Sequence, residues 1–207
     1  MSGDRVTVDF WFDPVCPYSW IGSRWLLEVE TSRPVDVRWR VMSLFLLNER
    51  RTDDPSYVEY LREVSGAARV ATAVAYRLGS DALRDLYTGF GDVIFDHWRY
   101  ASGDECRRAM RTALMRADLP LDLLDSFDTT EYDGELRRSH LIAMAGVGDE
   151  GSTPSMSLNG VAFSGPVLNS IPRGEDAARI FDGCLLLAGF HDFFEIKRTR
   201  TAEPVFA

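Results

Sequence analysis

Val6-Thr7-Val8-Asp9-Phe10-Trp11-Phe12-Asp13-Pro14-Val15-Cys16-Pro17-Tyr18-Ser19-Trp20 decides how the rest of the chain is read. Its first seven residues are β-branched or aromatic apart from Asp9, the composition of a buried strand. Asp13-Pro14 stops that strand. From Pro17 to about Glu30 the period turns helical, with Trp20, Ile21, Trp25, Leu26 and Val29 on one broad apolar face. Pro34 ends the helix. Val35 to Met42 then alternates, Val35, Val37, Trp39 and Val41 against Asp36, Arg38 and Arg40, as a half-buried strand does. The opening is therefore β-α-β, which favours parallel pairing and a right-handed crossover. Cys16 sits where the first strand gives way to the helix, and Pro17 suits the first helical position because it has no N–H to leave unpaired. A sulfur there faces the positive end of the helix, which favours thiolate and lowers the thiol pKa from about 8.5. The plainer alternative is a small buried residue at a strand end.

The next hundred residues carry no comparable strand pattern. Tyr57–Leu78, Asp81–His97, Asp104–Ala117 and Asp128–Ala145 have helical spacing, punctuated by Gly79, Gly103 and Pro120. Ser102-Gly103-Asp104 and Asp128-Thr129-Thr130-Glu131 offer helix caps. Strand character returns at Ser155–Leu158 and Val161–Ser164, joined by Asn159-Gly160, a strong hairpin signal. A last helix is expected over Glu175–Ala188, followed by a polar, basic tail after Phe194. The fold class is α/β, a thioredoxin-like sheet with an all-helical insertion in its middle. Residues 1–50 and 150–207 form the thioredoxin-like domain and 51–149 the insertion.

Composition narrows the function. The chain has 207 residues, 45% hydrophobic and 27% charged, which suits a soluble globular protein. Its net charge of −9 argues against nucleic-acid and anionic-membrane partners, whose phosphates attract clustered cations. No run approaches the roughly 18 apolar residues of a membrane span, and Met1–Arg5 has no signal-peptide pattern, so a cytoplasmic location is expected. Three cysteines are too few for a disulfide scaffold. Cys106 and Cys184 keep helical spacing with apolar neighbours and read as core thiols; either resolves a bond at Cys16 only if folding brings the sulfurs together. His97, His140 and His191 lack metal-ligand spacing, so no metal is expected; His97 is a candidate for a cleft wall, with packing the plainer role. No glycine-rich loop follows the first strand, so no nucleotide is expected. The acidic pairs Asp53-Asp54 and Asp149-Glu150 lie on turns. Arg50-Arg51 and Arg137-Arg138 read as solvent-facing. Of the 23 basic residues one is lysine, Lys197, an arginine excess typical of a GC-rich genome.

Ser152-Thr153-Pro154 precedes the hairpin and on its own marks a strand start. Together with Cys16-Pro17-Tyr18-Ser19-Trp20 it resembles the DsbA-like branch of the thioredoxin superfamily. Several further stretches resemble one subgroup: Val41-Met42-Ser43-Leu44 with Asn48 and Glu49, Asn159 to Phe163, Gly165 to Leu168, Ile171 to Glu175, and Lys197 to Thr201. That subgroup is the actinobacterial mycothiol-dependent nitroreductases, and the similarity runs nearly end to end. It implies that Cys16 is the nucleophile and Pro154 a cis-proline, with Thr153 offering backbone groups to a thiol substrate. Tyr18, Asn48 and Tyr57 would line the cleft beside Pro17, and mycothiol or another low-molecular-weight thiol would be the co-substrate. The arginine excess fits an actinobacterium, whose small thiol is mycothiol. The tail Lys197-Arg198-Thr199-Arg200 would close over the thiol site or pair with the acidic surface.

Ser19 departs from the subgroup, which carries Cys-x-x-Cys. A hydroxyl cannot resolve a mixed disulfide, although it can hydrogen-bond the Cys16 sulfur. The implied activity is a monothiol oxidoreductase with Cys16 and Ser19 as the catalytic pair, acting on a small disulfide or electrophile. Two alternatives stand beside it. Pro17-Tyr18-Ser19-Trp20 is also similar to kappa-class glutathione transferases and 2-hydroxychromene-2-carboxylate isomerases, which carry serine at the position of Cys16. A non-catalytic thioredoxin-like binding module is the other. The oligomeric state is left open between monomer and homodimer.

Overall fold

The computed structural model describes residues 5–96 and 100–206. A four-stranded sheet of order β2-β1-β3-β4 organises it, with β1 at Val6–Phe12, β2 at Val35–Val41, β3 at Ser155–Leu158 and β4 at Val161–Ser164. β1 and β2 run parallel, with Val6 opposite Val35 and Phe12 opposite Val41. β1 and β3 are antiparallel, as are β3 and β4. Asn159 and Gly160 turn the hairpin with φ of 49° and 92°, the left-handed pair that a tight two-residue turn demands.

Alternation decides what each face of the sheet meets. Val8, Phe10, Phe12, Val37, Trp39, Met156 and Leu158 belong to the main core. Phe10 meets Trp39 edge-on at 5.6 Å, and Phe12 stacks on Tyr87 at 3.9 Å. Helix α1 (Pro17–Glu30) lies along this core with α8 (Gly174–Ala188), tied to it where Trp25 Nε1 donates to Ala177 O at 3.0 Å. The other face offers Trp11, which packs with Met42, Leu47 and Ala143. Ala143 is on α7 (Asp133–Val147), a helix in contact with β2, β3 and β4.

Between β2 and α7 the chain is helical, as its spacing predicts, but more finely divided. A short α2, Leu44–Asn48, follows β2 directly, capped where Ser43 Oγ accepts from Leu46 N. The segment read as one helix over Tyr57–Leu78 is α3 (Pro55–Val64) and α4 (Gly66–Leu78). They part at Ser65, whose hydroxyl donates back to Arg62 O at 2.8 Å and competes with the helical ladder. α5 (Ser80–Ile94) and α6 (Gly103–Arg116) follow, α6 opened by the expected Ser102 cap, which forms a reciprocal box with Glu105. The expected start at Asp128 is corrected. Residues Leu121–Phe127 form a 3-10 helix, and α7 begins only at Asp133 with no side-chain cap. Asp128, expected as the cap, pairs with Arg107 instead, and Asp133 binds Arg69 through both oxygens.

Among the described residues, those after α8 form no regular element, yet they are tied to the rest of the chain. Val205 N donates to Asn169 O at 2.8 Å, Asn169 Nδ2 donates to Glu203 O at 2.8 Å, and the Phe206 ring lies 5.3 Å from Phe95. Among the described residues no helix is long and apolar enough to cross a membrane.

Candidate active site

Cys16 is the N-cap of α1, with extended backbone (φ −79°, ψ 118°) and Pro17 as the first helical residue. Its amide donates to Asp13 O at 3.1 Å and its carbonyl accepts from Trp20 N at 3.1 Å, so the sulfur is fixed at the strand–helix junction. Cys16 Sγ lies 3.6 Å from Thr153 O as a donor. The Thr153–Pro154 peptide bond is cis. Ser19, fully buried one helical turn on, pairs through Oγ with Thr153 Oγ1 at 2.9 Å. Thr153 Oγ1 also accepts from Asp13 N at 3.3 Å. Thr153 therefore joins the Cys16 loop, the first turn of α1 and the entrance to β3.

Asp13 sets the geometry from beneath. One carboxylate oxygen accepts from Val15 N at 2.9 Å and the other from Leu44 N at 2.7 Å, clamping the Cys16 loop to the start of α2. Those two amides favour the ionised carboxylate, but burial outweighs them and Asp13 is pushed up to about 6.

A cleft of about 250 Å³ opens beside Cys16. Its floor is Val15, Cys16, Pro17, Tyr18, Ser152 and Thr153; its helical wall is Leu44, Leu47 and Asn48 from α2 with Tyr57, Tyr60 and Leu61 from α3. Tyr100 and Arg200 complete the rim. Asn48 Nδ2 donates to Leu44 O at 2.8 Å, so its amide is turned back along its own helix. Asp54 Oδ1 accepts from Ser56 N and Tyr57 N, capping α3 and holding Tyr57 at the cleft. This is the local role of Asp54, the second member of the acidic pair at residues 53 and 54.

Of the residues singled out in the sequence, Cys16, Pro17, Tyr18, Asn48, Tyr57 and Thr153 all reach the cleft, and Ser19 and Pro154 stand directly behind Thr153. Tyr60, Leu44, Leu47, Leu61 and Tyr100 were not foreseen, while Arg200 belongs to the tail for which closure over the thiol site was one of two expectations. Tyr60 had a signal, since it follows Tyr57 by three residues and shares its helix face; their rings lie 6.5 Å apart. Arg200 lies far off in sequence, and only the path of the tail brings it here. His97 lies outside the described residues.

One electrostatic expectation is overturned. The helix start was read as lowering the Cys16 thiol pKa, whereas Cys16 is only 4% exposed and burial pushes the thiol up. The Ser19 hydroxyl and the amides of Ser19 and Tyr18 pull it down, and the nearby Asp13 charge opposes them. Desolvation is the largest influence and it wins. The other two thiols are also raised by burial, Cys106 to about 12, and all three cysteines are free. His140 is buried, accepts from Ser43 N at 3.4 Å through Nδ1, and is pushed down to about 4, which makes it a neutral packing residue. Among the described residues no group of three or more His, Cys, Asp or Glu is arranged to hold a metal.

A sheet of this order, a cysteine capping its first helix and a cis-proline loop facing that cysteine define a thiol oxidoreductase of the DsbA-like thioredoxin class. Residues 15–198 match the family described as Rv2466c-like, mycothiol-dependent nitroreductase Rv2466c, and the chain belongs to that family. It is also 26% identical over 214 residues to the uncharacterized protein Rv2286c of Mycobacterium tuberculosis, covering 96% of this chain and 84% of that one. Similar solved structures show the fold. A probable DsbA oxidoreductase, SCO1869, from Streptomyces coelicolor has a TM-score of 0.58 at 16% identity, with 94% of each chain covered. DsbA from Chlamydia trachomatis has a TM-score of 0.55 at 9% identity, with 90% of each covered. The cytosolic disulfide reductase DsbM from Pseudomonas aeruginosa has a TM-score of 0.52 at 15% identity, covering 87% of this chain and 99% of that one.

Proposed function

We propose that this enzyme is a monothiol oxidoreductase in which Cys16 forms a mixed disulfide with a low-molecular-weight thiol, mycothiol by family membership, in a cytoplasmic setting. The observation that carries the reading is the Ser19–Thr153 hydroxyl pair at 2.9 Å, buried beside Cys16 where a resolving thiol would otherwise stand. Cys16 thiolate attacks one sulfur of a small disulfide; the new Cys16 S–S bond forms as the old bond breaks, and the departing thiolate takes the electron pair. A second molecule of small thiol, as its thiolate, then attacks the mixed disulfide, releases Cys16 as thiolate and leaves as the new disulfide. Cys106, on α6, and Cys184, on α8, are not among the described residues that line the cleft, so that second step falls to a second small thiol. Since desolvation is the largest influence raising Cys16, water or a polar substrate entering the cleft is what frees the sulfur to ionise.

In this reading Thr153 receives the incoming thiol at its backbone, as the Sγ–Thr153 O contact of 3.6 Å supports. Tyr18, Asn48 and Tyr57 form the surface on which the substrate rests. The thioredoxin-like part at 1–50 and 150–207 supplies the nucleophile and, through α2, part of the cleft wall, and the helical part at 51–149 supplies the rest through α3.

The test is steady-state reduction of a small disulfide with mycothiol as reductant. Wild type and Cys106→Ala are expected to turn over and Cys16→Ala to be inactive. Product formation without consumption of reducing equivalents, with activity surviving in Cys16→Ser, would establish a transferase or isomerase instead. No turnover with any thiol would leave a binding module.

A further inference from the structure

The floor and helical wall of the cleft are apolar or aromatic apart from small polar side chains, and among the described residues that line it Arg200 is the only charged one. It belongs to the tail, two residues beyond the stretch that matches the family. Its guanidinium carbon stands 5.0 Å from the centre of the Tyr18 ring, and Tyr18 is two residues from Cys16. Among the described residues Arg200 enters no ion pair, whereas Arg33, Arg40 and Arg69 all do. The chain beyond it is anchored at Glu203, Val205 and Phe206, so this cation is carried by a tethered strap. A guanidinium lying over a ring keeps its N–H edge free to meet a planar anion. On a chain of net charge −9 the general field repels anions, so Arg200 at the cleft mouth makes a local exception.

We propose that Arg200 is a specificity-determining residue that selects an aromatic substrate bearing a carboxylate or similar planar anion, whose reactive sulfur is then presented to Cys16. The ring of such a substrate lies among Tyr18, Tyr57 and Tyr60, and its anion meets Arg200. The inference rests on the thiol chemistry proposed above and adds the class of substrate.

Two aromatic disulfides separate the two ideas: dianionic 5,5′-dithiobis(2-nitrobenzoate) and neutral 4,4′-dithiodipyridine. Each forms a Cys16 S–S–aryl bond and releases one aryl thiolate, which is followed by absorbance in stopped flow. Cys16→Ala gives the background from Cys106 and Cys184. Arg200→Gln is expected to lower the ratio of the anionic to the neutral rate about fivefold, the scale of an exposed ion pair. Arg200→Glu is expected to lower it further and Arg200→Lys to restore part of it. Raising the salt concentration is expected to shrink the anionic advantage in wild type only. An unchanged ratio of the two rates in Arg200→Gln and Arg200→Glu overturns the substrate class while leaving the thiol reading intact. Reaction of Cys16 with neither probe overturns both.

Discussion

Ser19 and Asp13 act on Cys16 with opposite sign, the hydroxyl favouring thiolate and the carboxylate opposing it. Ser19→Ala is therefore expected to raise the pH midpoint of Cys16 alkylation, and Asp13→Asn to lower it. Rates of iodoacetamide modification across pH 6 to 10 check both; shifts of the same sign would contradict the assignment. In wild type the midpoint is expected above the free-cysteine value of about 8.5, because the sulfur is desolvated. Asp13 also links stability to pH. Its native pKa of about 6 exceeds the ordinary 3.8, so the native state binds the proton more tightly than the unfolded chain does. The stabilisation from that proton is complete below about 3.8 and is lost as pH rises through about 6, an effect of about 3 kcal/mol. Asp13→Asn is expected to remove this contribution, seen as a flatter dependence of urea stability on pH between 4 and 7. None of this was legible in the sequence. Cys16 before Pro17 announces a helix start, but it does not disclose how deeply the sulfur is buried.

The elements themselves were legible where one period dominates. β1, α1 and the hairpin strands have the bounds their patterns indicate, because a strand that buries alternate residues, or a helix that buries one stripe, writes that burial into its sequence. The divisions at Ser65 and Asp128 were not, since they depend on a hydroxyl competing with the ladder and on arginines from distant helices. The seating of α5 against α1 is equally hidden. Gly91 on α5 is where the Trp20 ring passes, and a Cβ there would fall 2.1 Å from Trp20 Cζ3. Trp20 is held on its other sides by Tyr87 at 5.5 Å and Phe95 at 5.5 Å, so it has little freedom to yield. Gly91→Ala is expected to cost about 1–3 kcal/mol of unfolding free energy by overpacking, measured in urea. Because Trp20 follows Ser19, the same variant should also change the alkylation rate of Cys16; an unaltered rate would show that α5 does not help set the first turn of α1.

At the scale of the whole molecule, the site is assembled from parts distant in the chain: the β1–α1 junction, α2 and α3, the loop before β3, and the tail. The candidate residues found by sequence came from the first three of these and from Thr153-Pro154, where local motifs or family resemblance pointed. Tyr60, Tyr100 and the contact of Arg200 with Tyr18 emerged only from how the helical segment and the tail close around Cys16. The central claim is that one thiol, with a serine in place of its partner, holds a small thiol as a lasting mixed disulfide. Intact-mass and peptide mass spectrometry of the reduced protein after incubation with mycothiol disulfide tests it most directly, with Ser19→Cys alongside. The account predicts a single mycothiol on Cys16 of the wild type that persists until free thiol is added, and its replacement in Ser19→Cys by an internal bond between residues 16 and 19. A wild type that shows no adduct at Cys16, or that passes directly to a bond with Cys106 or Cys184, would contradict it.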